Sequence, residues 1–173
     1  MANLLEKYRD DTGPSPCSRT APDGRNCIYF TENEVSQNYE EDEAVFYSNI
    51  RNKVQALWPQ LNLLETNGIY DVPKDKTDPF GYHWDHSFES TTLIFLSDND
   101  DGRGGNFVFP FAGPDGVTVT PKKGTVLTWL SRRSDGEMNK SHAHGIQATA
   151  PGSSQLISVH NFARGNTSVQ VEE

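Results

Sequence analysis

The sequence predicts a mainly β protein with the architecture of a jelly roll, supported by a helical region near the N-terminus. One amphipathic helix pattern spans residues 40–58, about eight short strand patterns follow it, and turn-forming residues separate those strands. Short strands at close spacing with turn signals between them are typical of a closed or double-sheet β architecture. The 173 residues contain no internal repeat or linker, so we expect one domain over residues 1–173.

The first third of the chain is expected to contribute helix, loop and one strand. Residues 2–9 are a candidate short helix, residues 11–26 are rich in turn formers, and residues 27–31 favour a strand. The main helix has acidic residues in its first turn and is closed by Pro59. Its apolar side chains recur at three- and four-residue spacing, which predicts one buried face. The residues of that face are Phe46, Ile50, Val54, Leu57 and Trp58.

After Pro59 the chain alternates strand patterns with turns. Apolar, aromatic and β-branched residues favour strands, and Gly, Pro, Asp and Asn cluster between them. The predicted strands are residues 61–66, 82–86, 91–96, 106–109, 116–120, 125–130, 144–149 and 156–162. The longest predicted turns are residues 71–81 and 98–105.

Composition and charge argue against several classes of protein. The formal net charge is −9 and no Lys/Arg cluster exceeds two residues, so neither nucleic acid nor a membrane surface is an expected partner. No apolar stretch approaches 18 residues, and the polar N-terminus does not resemble a signal peptide, which favours a soluble, cytoplasmic protein. Cys17 and Cys27 lie ten residues apart and are candidates for a disulfide.

The residues that suggest chemistry lie in the second half, which holds all five histidines. In His83-Trp84-Asp85, strand geometry puts the imidazole and the carboxylate on one face. These two ligands and a distant histidine make the 2-His-1-carboxylate triad, which holds Fe(II) with coordination positions left open. His142 and His144, about sixty residues further on, are the candidates for the third ligand.

From Ser18 to Phe162 the chain resembles the prolyl 4-hydroxylase branch of the 2-oxoglutarate- and Fe(II)-dependent dioxygenases. The segments that carry the resemblance are Ser18-Arg19-Thr20, His83-Trp84-Asp85, Phe95-Leu96-Ser97-Asp98, Gly104-Gly105-Asn106-Phe107-Val108-Phe109-Pro110, Pro121-Lys122-Lys123-Gly124-Thr125 and Trp129. It implies a double-stranded β-helix, a cupin-like jelly roll with iron at one mouth of the barrel. It also implies 2-oxoglutarate and O₂ as cosubstrates, with His83, Asp85 and a later histidine as the catalytic iron ligands. Counting from Pro121 within the family's pattern, that histidine is His144 rather than His142.

One departure from the family concerns the cosubstrate. In the family, a Lys or Arg about ten residues after the third ligand pairs with the far carboxylate of 2-oxoglutarate, a strong charge-assisted contact. Here that position falls on Ser154. Two replacements are open: neutral hydrogen bonds from Tyr82, Thr91 and Ser154, or a basic residue from elsewhere in the chain. The basic candidates are Arg103, Arg132, Arg133 and Arg164.

The sequence therefore predicts an Fe(II)-dependent dioxygenase, a 2-oxoglutarate-dependent hydroxylase of a peptidyl (prolyl-like) or small-molecule substrate. Ser154 motivates a second hypothesis, a metal-dependent oxidase on the same fold that does not use 2-oxoglutarate. The third hypothesis is a non-catalytic jelly-roll module that binds a metal.

Overall fold

The structure, a computed structural model, describes residues 26–30, 41–64, 67–73, 80–99, 105–147 and 154–164. Within these ranges lie one α-helix, α1 (Glu41–Gln55), and a short 3₁₀ helix (Lys140–His142). The strands are β1 (Asn26–Phe30), β2 (Leu61–Leu63), β3 (Asn67–Pro73), β4 (Phe80–His83), β5 (Ser90–Phe95), β6 (Phe107–Phe109), β7 (Val117–Val119), β8 (Val126–Leu130), β9 (His144–Ile146) and β10 (Ser154–Arg164). The predicted helix at residues 2–9 and the disulfide candidate Cys17 lie outside the described residues.

The strands form two antiparallel sheets. The larger sheet has the order β1-β3-β10-β5-β8, with β2 pairing beside the end of β10, and the smaller has the order β4-β9-β6-β7. Several neighbours in both sheets are far apart in the chain: β10 lies between β3 and β5, and β9 lies between β4 and β6. The predicted mainly β, double-sheet fold class is confirmed.

The main core lies between the two sheets. Alternate residues of β5, β8 and β10 point inward from the larger sheet and meet residues of β6 and β9 from the smaller one. The buried members are Leu93, Phe95, Phe107, Phe109, Trp129, Ile146 and Ile157. Burial of each such side chain contributes about 1.5–3 kcal/mol, and the aromatic rings pack mostly edge-to-face or tilted, as Phe107 does on Phe109 and Trp129.

The helix α1 packs beside the larger sheet through a second, smaller cluster. Val54 of the helix is buried with Leu63 and Phe162, and the Trp58 indole donates a hydrogen bond to Thr128 of β8 at 2.6 Å. The predicted helix face is partly wrong, because Phe46 is 45% exposed while its neighbour Tyr47 is buried. Leu57, also predicted to be buried, is exposed as well.

The helix ends three residues before the predicted position. The amide nitrogens of Leu57 and Trp58 bond three residues back, to the carbonyl oxygens of Val54 and Gln55, which closes a tighter turn. Pro59 excludes further helix because it has no N–H and it restricts the residue before it.

Several strand boundaries differ from the predicted ones. The segment 71–73, predicted to be turn, belongs to β3, which pairs with both β1 and β10. β4 ends at His83, so Asp85 lies just beyond the strand rather than on it. In β3 the pairing with two neighbours overrides the weak strand preference of Asn, Gly, Asp and Pro. None of the helices in the described part of the chain is long and apolar enough to cross a membrane.

Candidate metal centre

His83 and His144 lie side by side on adjacent strands of the smaller sheet. β4 and β9 pair so that these two residues are opposite one another, and their ring centroids lie 4.5 Å apart. Asp85 returns to the same place from the loop after β4. Its Oδ1 lies 3.9 Å from His83 Nε2 and its Oδ2 lies 3.7 Å from His144 Nε2. One potential ligand atom of each residue lies within 4.8 Å of the others.

His144 is held in the tautomer that a metal ligand requires. Its Nδ1 lies 2.9 Å from the carbonyl oxygen of His142, so Nδ1 carries the proton and Nε2 keeps its lone pair. The ring is buried, stacked on Phe107 and packed against Trp129. Burial lowers the pKa of His144 below its ordinary value, although the nearby Asp85 opposes this shift. The neutral ring is the form that binds a metal ion.

Asp85 is fixed through one of its two oxygens. Thr91 of β5 donates a hydrogen bond from Oγ1 to Asp85 Oδ2 at 2.6 Å. A hydroxyl bonded to a carboxylate at this distance is a strong, charge-assisted contact. The two imidazoles and the carboxylate therefore match the donor set that Fe(II) accepts in the facial triad.

A cavity of about 170 Å³ adjoins the three residues. His83 is the open side, because 43% of its side chain is exposed whereas that of His144 is almost fully buried. The inner wall of the cavity is mostly apolar. Its members beyond the triad include Phe88, Leu93, Phe107, Trp129, Ile146, Ile157 and Val159, with Thr91 and Asn161 as the polar groups.

The competing candidate for the third ligand, His142, points elsewhere. Its Nδ1 lies 2.6 Å from the carbonyl oxygen of Leu130, and the Asn139 amide lies 3.0 Å from the same nitrogen. The structure therefore gathers His144 with His83 and Asp85, while the His142 side chain braces the turn that precedes β9. His160 is buried on β10 with Nε2 2.9 Å from the Ser158 hydroxyl.

Two of the three residues predicted to bind the cosubstrate have described side chains, and these two have different environments. Thr91 lines the cavity and bonds Asp85, whereas Tyr82 is 53% exposed and is not a cavity residue. The third, Ser154, starts β10, where its backbone lies opposite Pro73 of β3.

Three of the four candidate arginines pair with carboxylates elsewhere on the surface. Arg103 lies outside the described residues. The pairs are Arg132 and Arg164 with Glu89, and Arg133 with Asp135.

Asn161 is a cavity residue that the sequence did not identify. Its position follows from the alternation along β10, in which Ile157, Val159 and Asn161 line the cavity. In the sequence Asn161 follows the apolar Val159 by two residues, so both lie on the same face of a strand. Which face of that strand points into the cavity depends on the strands it pairs with. The register with β5, which pairs Asn161 with Thr91, supplies that direction.

Comparison with known proteins adds a family context. No family model matches the chain. A probable prolyl 4-hydroxylase (number 11) from Arabidopsis thaliana is 45% identical over 60 residues, which is 32% of this chain. The chain spans about a fifth of that relative, with 21% of its length covered.

Solved structures match over most of the chain. A viral collagen prolyl hydroxylase from Paramecium bursaria Chlorella virus-1, in its complex with 2OG, has a TM-score of 0.62 at 15% identity, covering 93% of this chain and 86% of the other. The fold is that of the prolyl hydroxylases. A prolyl hydroxylase from Trichoplax adhaerens, solved with a peptide fragment of hypoxia inducible factor, has a TM-score of 0.62 at 13% identity, with 94% and 74% covered. The similarity to this branch that the sequence indicated is thus confirmed.

Proposed function

We propose that the protein is a mononuclear non-haem Fe(II) oxygenase with 2-oxoglutarate and O₂ as cosubstrates. The observation that carries the proposal is the convergence of His83, Asp85 and His144 beside a cavity. Three protein ligands leave the remaining positions of an octahedral ion open for cosubstrate and O₂. The iron would supply the redox chemistry by which O₂ oxidises the 2-oxo acid and hydroxylates the substrate.

The protein's own groups have distinct tasks in this proposal. His144 and Asp85 arrive with their ring tautomer and carboxylate orientation already set, by the His142 carbonyl and the Thr91 hydroxyl respectively. The apolar wall excludes water from the inner side of the site, which strengthens every polar contact made there. The half-exposed His83 lies on the side from which a substrate would approach.

We infer that the substrate is a peptidyl group or a small molecule. The Trichoplax adhaerens structure with its bound peptide fragment supports a peptide, since that protein shares the fold. In this chain the half-exposed His83 leaves one side of the candidate metal centre open to such a substrate.

A second candidate function is an oxidase that does not use 2-oxoglutarate. Among the described residues, those that line the cavity include no Lys or Arg. A dicarboxylate buried without a cationic partner is costly. Neutral donors would have to replace the cation. One candidate is the Trp129 indole N–H, which is buried and has no hydrogen-bond partner among the described residues.

Anaerobic titration of metal-free protein with Fe(II), with and without 2-oxoglutarate, tests both candidates. The proposed function predicts iron binding, a weak visible charge-transfer band on addition of 2-oxoglutarate, and succinate release in air. Replacing His83, Asp85 or His144 with Ala should abolish all three signals. Iron binding with no band at millimolar 2-oxoglutarate, together with O₂ consumption, would favour the oxidase. Failure to bind any divalent metal would leave a non-catalytic module.

A further inference from the structure

The side chains of Asn161, Thr91 and Asp85 form a row of hydrogen bonds, which we call the relay, with Thr91 in the middle. Its hydroxyl lies 2.6 Å from Asp85 Oδ2 and 3.1 Å from Asn161 Oδ1. Thr91 and Asn161 are direct partners across β5 and β10 of the larger sheet, and Thr91 is 1% exposed. The relay therefore connects the loop after β4 to the larger sheet, while both histidines of the triad lie on the smaller sheet.

The number of protons on the Thr91 hydroxyl determines which group donates in each hydrogen bond of the relay. A threonine hydroxyl has one proton and can accept in return. The shorter contact, to an ionised carboxylate, takes that proton. The contact with Asn161 is then a hydrogen bond only if the amide is turned so that its NH₂ group, rather than Oδ1, faces Thr91, an assignment that the network decides. The bonds run from Asn161 to Thr91 and from Thr91 to Asp85.

We propose that Thr91 and Asn161 are positioning residues that make Asp85 a one-oxygen metal ligand. This inference rests on the proposed function. Thr91 engages one lone pair of Oδ2, the oxygen 3.7 Å from His144 Nε2, whereas Oδ1, 3.9 Å from His83 Nε2, does not carry this bond and is the oxygen we assign to the metal ion. A carboxylate that bound through both oxygens would consume one of the positions that the facial triad keeps open. The relay thus preserves room for a chelating cosubstrate together with O₂.

The surroundings of the relay favour a strong effect. Leu93, Phe107 and Val159 line the same cavity, so little water competes for the hydroxyl. Hydrogen-bond partners behind metal ligands typically account for about 10–100-fold in metal affinity. Thr91 acts on the metal only through Asp85, so its loss should change affinity and coordination without removing a ligand.

The decisive variant is Thr91→Val, which keeps the shape of the side chain and removes the hydroxyl. Thr92→Val is its matched control, because Thr92 is equally buried on the same strand but bonds Thr128 on the opposite face. Titration with Co(II), a spectroscopic substitute for Fe(II), reports both affinity and coordination number. We expect Thr91→Val to weaken Co(II) binding about 10–100-fold and to shift the visible spectrum, whereas Thr92→Val and Thr91→Ser stay close to the wild type.

Asn161→Leu tests the outer half of the relay. Since Thr91 keeps its bond to Asp85 in this variant, we expect a smaller loss of Co(II) affinity than in Thr91→Val. The double variant should bind no more weakly than Thr91→Val alone, because the two residues act through one bond. Additive losses would overturn the relay.

The outcomes separate this inference from the proposed function. Wild-type protein that binds Co(II) through His83 and His144, with Thr91→Val indistinguishable from Thr92→Val in affinity and spectrum, would overturn the relay and leave the metal site standing. Wild-type protein that binds no metal would overturn both. A loss confined to Thr91→Val and restored in Thr91→Ser would support the relay.

Discussion

His142 and His144 lie two residues apart and have different parts in the candidate site. His144 turns Nε2 toward Asp85, while His142 offers its backbone carbonyl to His144 and anchors its own ring on Leu130. We predict that His144→Ala loses metal affinity beyond the 10–100-fold typical of residues behind a ligand, and that His142→Ala stays within that range. Dissociation constants from Co(II) titration measure this, with the exposed His86→Ala as control. Equal losses at His142 and His144 would contradict the assignment.

His160 has a consequence for stability against pH. Burial, with a further contribution from Arg51, lowers the pKa of this ring from 6.5 to about 4. The unfolded chain therefore binds a proton between these values that the folded protein does not. The contribution of His160 is fully present above pH 6.5 and is lost as pH falls toward 4, by roughly 3 kcal/mol at most.

Urea unfolding at pH 7 and pH 5 measures that loss. His160→Gln keeps a polar group beside Ser158 but cannot take up a proton, so this variant should lose less stability on acidification than the wild type. His86→Gln, at an exposed position, serves as the matched control and should leave the pH dependence unchanged. If the stability of His160→Gln depended on pH as steeply as that of the wild type, the ring would take up its proton equally in the folded and unfolded states at pH 5, which would contradict the prediction.

The three candidate metal ligands could be predicted from the sequence, whereas the hydrogen bonds that hold them in place could not. His83 and Asp85 are two residues apart, so their proximity is largely local and survives the early end of β4. The bond from Thr91 to Asp85 depends on how the loop between them returns to β5. The resemblance suggested Thr91 as a neutral hydrogen-bond donor to the cosubstrate, and its bond to Asp85 was not foreseen because a pattern does not specify which neighbour a hydroxyl contacts.

At the scale of elements, Gln55 joins the end of α1 to β2. Its amide nitrogen donates to the carbonyl oxygens of Trp58 and Leu61, and its Oε1 accepts from the backbone N–H of Leu63. The side chain thus ties backbone groups of the turn at Pro59 to those of β2, and of these the Trp58 carbonyl also accepts from the Leu61 N–H.

We predict that Gln55→Ala destabilises the protein by about 1–3 kcal/mol, the range for leaving such groups unsatisfied. Asn52→Ala, an exposed position one turn earlier in the same helix, is the control and should change stability by less than about 0.5 kcal/mol. Chemical denaturation at pH 7 measures both. A Gln55→Ala variant as stable as Asn52→Ala would mean that water replaces the three bonds.

The elements that the sequence predicted well are those with strong local patterns. β5, β6 and β8 are short apolar or β-branched runs between turn signals, and their positions agree with prediction within two residues. β3 was missed because Asp71, Val72 and Pro73 resemble a turn. The segment becomes a strand because it pairs with β1 on one side and with β10 on the other, and β10 lies more than eighty residues later in the sequence. Such long-range pairing leaves little trace in a local pattern.

At the scale of the whole molecule, the proposed metal would link parts that the backbone leaves separate. His83 and His144 lie on two strands of the smaller sheet, whereas Asp85 is tied through Thr91 to the larger one. A ligand that binds only the folded state stabilises it by about 2.7 kcal/mol at one hundred times its dissociation constant. For a chain of 173 residues this corresponds to a rise in Tm of roughly 5–10 °C.

We therefore predict that Co(II), or Fe(II) without oxygen, raises the unfolding midpoint in proportion to the logarithm of its concentration. Asp85→Asn should flatten this dependence, because the amide is a weaker ligand and loses the charge-assisted bond from Thr91. Asp135→Asn removes an exposed carboxylate outside the triad and should follow the wild type. Thermal scans over a series of metal concentrations measure all three proteins. If Asp85→Asn rises as steeply as Asp135→Asn, the stabilising ion binds elsewhere, and the convergence of the triad serves the fold rather than the chemistry.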